Sequence, residues 1–247
     1  MNMEGGRDGS ALASASTFGQ KEVVQILLEN GAEVNMVGRF HGSALTSALA
    51  FGEKDVVQIL LENGADVNMV GGFHGSALVS ASAFGEKDVV QILLDNGANV
   101  NVVVGIYGGA LALASPFGQN EIVRILLENG ADVNIVGGDY GSALALASAR
   151  GQKEVVQIFL ENGADVNFLG KGNQSPLRLS SINGHFSIAQ ILLDHGADVN
   201  LKHEDGLNAL NCARASPYKV IVQLLLGRGA DPDDIVVDDA TPTDITQ

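Results

Sequence analysis

The chain repeats itself every 33 residues, and this period limits the possible folds more than any other feature. Asn-Gly-Ala, or a close variant, begins at Asn30, Asn63, Asn96, Asn129, Asn162, His195 and Arg228, and leucine recurs in the same step at Leu12, Leu45, Leu78, Leu111, Leu144, Leu177 and Leu210. A unit of this size cannot bury its own apolar face. Stacking on its neighbours can, which excludes one central core and predicts a solenoid. Residues 1–247 read as a single repeat domain, with a partial unit at 1–8, units starting near 9, 42, 75, 108, 141, 174 and 207, and a partial unit at 240–247. Asn2 to Gly9 falls in register with Asn35 to Gly42, and Thr241-Pro242 with Ser175-Pro176. The partial units fit either flanking caps or a segment of a longer array.

Each unit carries the signals of two short helices. Ser10, Ser43, Ser76, Ser142 and Ser175 can accept from the unpaired N–H groups that open a helix, and the glycines at 19, 52, 85, 118, 151 and 184 close it. A second helix follows, as at Lys21 to Glu29. Its Val23, Val24, Ile26, Leu27 and Leu28 cover more than one side and leave Glu22, Gln25 and Glu29 outward. Gly31 and its equivalents stop that helix. The stretch from Ala32 to Gly42 is too short and too glycine-rich for a third helix, so it predicts an extended, hairpin-like connector. At roughly 10 Å per helix, seven units make a stack about 70 Å long.

Composition narrows the partners. Lys+Arg 14 against Asp+Glu 29 gives a net charge of −15, which opposes a basic nucleic-acid-binding face and association with anionic lipid. No stretch reaches the roughly 18 apolar residues needed to span a bilayer. One cysteine, Cys212, cannot form an internal disulfide, and residues 1–10 lack a secretory apolar segment, so the expected compartment is the reducing cytosol. Phosphate-cradling, metalloprotease and nucleophile-elbow motifs are all missing. The sequence therefore offers no catalytic residue, metal site or cofactor.

The Val-Val-Gln-Ile-Leu-Leu core followed by Asn-Gly-Ala-Asp-Val-Asn resembles the ankyrin repeat pattern over nearly the whole chain. Ser-Pro-Leu-Arg at 175–178 is similar to the family's Thr-Pro-Leu-His start, while the first five units carry Gly-Ser-Ala-Leu or Gly-Gly-Ala-Leu, as in long fungal ankyrin arrays. The resemblance implies an all-α solenoid with first helices and connector tips on a concave face and second helices on a convex one. It also implies a protein-binding scaffold without catalysis.

Three columns depart from that pattern and supply the candidate binding residues. The tips carry apolar pairs: Met36-Val37, Met69-Val70, Val102-Val103, Ile135-Val136 and Phe168-Leu169, with Phe40, Phe73, Ile106 and the irregular Val104 nearby. Either they form an apolar strip, or one residue of each pair packs between tips. Phe18, Phe51, Phe84 and Phe117 recur at the ends of first helices, and Arg150 takes the next place. They pave a groove or wedge into the core. His41, His74, Tyr107 and Tyr140, with Asp139 beside the last, stand where the family usually has a turn glycine; successive histidines about 10 Å apart cannot share a zinc ion. Pro116 and Val104 make the fourth unit irregular, and Cys212 reads as a small core residue. The acidic columns of the second helices read as a solvated back.

The functional expectation is a scaffold binding a protein or peptide partner through an apolar groove. The alternative is a small hydrophobic ligand in the same groove, bound by a carrier or by a cofactor-free cyclase or isomerase. Self-association of the apolar surface is a third possibility.

Overall fold

The computed structural model describes residues 10–38, 42–49, 52–71, 75–104, 108–139, 141–170 and 174–233. Helices alternate in pairs along the chain: α1 (Ala11–Thr17), α2 (Lys21–Glu29), α3 (Ala44–Leu49), α4 (Lys54–Glu62), α5 (Ala77–Phe84), α6 (Lys87–Asp95), α7 (Ala110–Ala114) and α8 (Asn120–Glu128). Three more pairs follow: α9 (Ala143–Arg150), α10 (Lys153–Glu161), α11 (Pro176–Ile182), α12 (Phe186–Asp194), α13 (Ala209–Ala215) and α14 (Lys219–Gly227). First helices pack on first helices and second on second.

None of these helices, at nine residues or fewer, would be stable in water alone. Their ends are capped locally. Ser10 Oγ accepts from the Ala13 N–H at 3.1 Å, and Ser142 Oγ from Ala145 at 3.1 Å. Asn208 and Asn211 exchange side-chain and backbone bonds at 3.0 and 2.8 Å, a closed capping box. At the other end of the unit, Asn63 Nδ2 returns to the Ile59 carbonyl at 2.8 Å, and His195 Nδ1 donates to Ile191 O at the same distance. Pro116 has the effect its chemistry requires: α7 stops at Ala114 and a 3-10 turn, Ser115–Phe117, finishes the segment.

The core is one continuous cluster running through the stack, and all seven leucines of the 33-residue column lie in it. Cys212 is buried and unpaired there. Among the described residues the largest fully buried side chain in this column-built core is Phe159, standing where other second helices carry leucine.

Polar seams join the units. Asn101 Nδ2 donates to the Gly130 carbonyl at 3.1 Å, and its Oδ1 accepts from the Asp132 N–H at 2.8 Å. The same two-point clip recurs at Asn35, Asn68, Asn134, Asn167 and Asn200. Along the second helices, Lys21 reaches Asp55, Lys54 reaches Asp88 at 2.7 Å, and Lys87 reaches Glu121. The acidic back is thus interleaved with cations from the preceding unit. Lys54 holds the Asp88 carboxyl below its ordinary range, and the bond to Glu121 holds Lys87 above its own.

Candidate interaction surface

The connectors are hairpins, closed where Gly38 N–H meets Gly42 O at 2.7 Å and Gly71 N–H meets Gly75 O at 2.7 Å. In the fourth unit the closure becomes a two-residue antiparallel pair, β1 (Val103–Val104) with β2 (Gly108–Gly109). Each apolar tip pair splits. Met36, Met69, Val102, Ile135 and Phe168 are half-buried, while Val37, Val70, Val103, Val136 and Leu169 are exposed. Backbone alternation accounts for this split, because successive extended residues point to opposite sides.

The exposed member rests on the next tip. A β-carbon at Gly71 would come within 2.7 Å of Val37 Cγ1, and one at Gly137 within 2.6 Å of Val103 Cγ1. These glycines therefore leave room for a neighbour's side chain. Val104 stands in that same glycine column and points the other way: a β-carbon at Gly75, in the preceding connector, would lie 2.5 Å from Val104 Cγ2. Its irregularity is a contact between units, and it is half-buried.

The described phenylalanines of the helix-end column are solvated. Phe18 is 74% exposed, Phe84 47% and Phe117 66%, at the ends of first helices whose column leucines, Leu12, Leu78 and Leu111, are buried. A wedge into the core is excluded for these three. Arg150 is exposed at the end of α9. The helix ends that carry them are held by the following unit. Gln119 Nε2 donates to Ala83 O at 3.2 Å, beside Phe84; Gln152 Nε2 donates to Pro116 O at 2.9 Å, beside Phe117. His185 Nε2 donates to Ala149 O at 3.1 Å, beside Arg150. Carbonyls that a helix end leaves unpaired are thereby satisfied, and each exposed side chain gains a fixed base.

Phe40, His41, Phe51, Phe73, His74, Ile106, Tyr107 and Tyr140 lie outside the described residues. Met36 and Met69 occupy the half-buried tip column, and Asp139 is exposed in the turn of the fourth connector, two residues before Gly141. Among the described residues, no three His, Cys, Asp or Glu side chains gather as metal ligands, and no helix is long and apolar enough to cross a membrane.

One polar cluster escaped the sequence reading. His203 is buried against α11, with Nδ1 2.8 Å from the Leu207 carbonyl. A carbonyl only accepts, so Nδ1 carries the proton. Nε2 then accepts from the Ser175 N–H at 3.3 Å and faces Ser175 Oγ at 3.1 Å. Burial, with Arg178 nearby, lowers the pKa of this imidazole below its ordinary value. Arg178 forms a two-pronged bond to Asp205, at 3.2 and 2.6 Å, which lowers the Asp205 pKa. Burial pushes the Cys212 thiol up, so it is a poor nucleophile. The available signal was positional: His203 stands in the column of Gly38, Gly71, Val104, Gly137 and Gly170.

Comparison with known proteins matches this architecture. The family model for ankyrin repeats matches three times, at residues 2–71, 45–137 and 144–235. The crystal structure of the human ASB11 ankyrin repeat domain superposes with a TM-score of 0.76 at 28% identity, covering 90% of this chain and 99% of that one. No curated protein matches the chain. The repeat period, the paired helices, the hairpin connectors and these matches agree, and the chain belongs to the ankyrin repeat family.

Proposed function

We propose that this chain binds a protein or peptide segment along the surface made by its first-helix ends and connector tips. Ankyrin repeat domains are generally protein–protein interaction modules, which supports the class. The observation that carries the finer reading is the exposure of Phe18, Phe84 and Phe117, one column of large aromatics presented to solvent at the ends of first helices whose column leucines, Leu12, Leu78 and Leu111, are buried. Aromatic anchors of this kind hold much of the binding energy in protein interfaces. The exposed valines at 37, 70, 103 and 136 extend the apolar area, and Arg150 adds a cation where the phenylalanines stop. A small hydrophobic ligand would need these rings to line an enclosure, whereas Phe18 and Phe117 stand mostly open. The buried free thiol of Cys212 supports a reducing compartment such as the cytosol.

The test is a double replacement, Phe84→Ala with Phe117→Ala, followed by affinity capture from source extract. Partners bound by the unaltered chain are expected to be lost, with helicity and melting temperature unchanged. Retention of every partner by a normally folded variant rejects the groove reading.

A further inference from the structure

Resting on the binding surface proposed above, we infer that the segment it takes carries opposite charges at its two ends. Lysine or arginine meets Glu53 and Glu86, apolar side chains cover Phe84 and Phe117, and aspartate or glutamate meets Arg150. The charge pattern of the surface is the evidence. The first helices of units one to five, read through to the phenylalanine column, contain a single charged residue, Arg150. Against the glycine that closes each of these helices lies a side chain of the following unit. In order these are Glu53 on Gly19, Glu86 on Gly52, Gln119 on Gly85, Gln152 on Gly118 and His185 on Gly151. The row of helix ends therefore runs from acidic through neutral to basic, over about 40 Å at roughly 10 Å per unit.

The two carboxylates lack a donor. In the same place Gln119, Gln152 and His185 each give an N–H to a carbonyl of the preceding helix end. A carboxylate only accepts and has no N–H to give. Among the described residues nothing donates to Glu53 or Glu86, although both are half-buried. Their chain neighbours are engaged elsewhere, Lys54 with Asp88 and Lys87 with Glu121. An anion partly removed from water with no donor is costly, and a cation brought by a partner relieves it. At Glu53 that cation also comes beside Phe18, whose open ring face attracts it.

At the other end the sign is reversed. Arg150 is exposed, no described acid pairs with it, and its guanidinium offers a fork to a carboxylate. A net charge of −15 would by itself draw a uniformly basic partner, and Arg150 turns one end of such a partner away. Spacing adds a second requirement. Gly52, under Glu86, and Gly151, next to Arg150, are three units apart, roughly 30 Å, which an extended chain covers in about nine residues. The pattern is written in side chains, so a segment running in either chain direction meets it.

A random library of peptides about 16 residues long, displayed on phage and selected on the full chain, tests this. Selected peptides should carry Lys or Arg near one end and Asp or Glu about nine residues away, with apolar residues between. Synthetic copies should bind about tenfold more weakly to the Glu53→Gln, Glu86→Gln variant, which places there the residue that units four and five carry. They should lose about as much with Arg150→Glu, helicity being unchanged in both. Selection repeated on Arg150→Glu should return peptides basic at both ends. Peptides that need Phe84 and Phe117 but show no charge order, or that keep their affinity for both charge variants, overturn this inference and leave the groove reading standing. Peptides indifferent to Phe84→Ala with Phe117→Ala, or no selected peptide at all, overturn both.

Discussion

His203 Nε2 lies 3.3 Å from the backbone nitrogen of Ser175, joining the last described connector to the first turn of α11. The bond requires a neutral imidazole, because protonation would set two N–H groups against each other. The folded-state pKa of His203 lies below the ordinary 6.5, so the folded chain binds fewer protons here than the unfolded chain. The stability this contributes is present above the unfolded value and is lost as pH falls through the folded one. Amide protection in α13 and α14, corrected for the intrinsic exchange rate at each pH, should fall as the pH is lowered below about 6.5 in the unaltered chain. His203→Gly, the residue common in that column, should remove the pH response and cost about 1–3 kcal/mol at neutral pH. Equal acid sensitivity in both chains would place its origin elsewhere.

Phe159 and Phe117 have the same side chain and opposite environments. Phe159→Ala empties a fully buried site and should lower stability by about 3–5 kcal/mol. Phe117→Ala should stay within about 0.5 kcal/mol, because its ring is already solvated. Urea unfolding of both variants makes the comparison.

Gly151 and Gly31 both have positive φ, at 77° and 80°, but only one is crowded. A β-carbon at Gly151 would come within 2.7 Å of His185 Cε1, while Gly31 has open space around it. Gly31→Ala should cost about 1 kcal/mol, for backbone conformation alone, and Gly151→Ala about 2–4 kcal/mol, since it also displaces the His185 bond to Ala149. Similar melting temperatures for the two variants would remove His185 from the seam.

Asn101→Ala deletes both bonds of a clip in the middle of the stack. Thermal unfolding should show a loss of about 1–2 kcal/mol. The loss should be smaller at Asn200, whose clip holds only the last described connector, because opening there separates fewer units.

Most of the fold was legible because its information is one-dimensional. Leu12 and its equivalents announce the buried column, Gly31 and its equivalents announce the breaks, and each unit touches only its neighbours. The split between Met36 and Val37 was also within reach of strand alternation. What the sequence left open at Phe18, Phe84 and Phe117 was direction, since the same residue at a helix end can turn inward or outward. The Lys54–Asp88 pairing was hidden for a different reason. Reading the acids alone, as a solvated column, obscured that Asp88 interlocks with a lysine 34 residues away. The His203 cluster depends on a side chain crossing between units, which a column of single residues does not display until the backbone places Ser175 opposite it.

The asparagine clip has one more consequence. Because Asn68, Asn101 and Asn134 present the same donor and acceptor to the same backbone groups, removing any 33-residue block between two of them leaves a clip of unchanged chemistry at the joint. Duplicating a block does the same. The length of such a chain can change by whole units without passing through a misfolded intermediate sequence, so the number of units is free to follow the size of the surface to be covered.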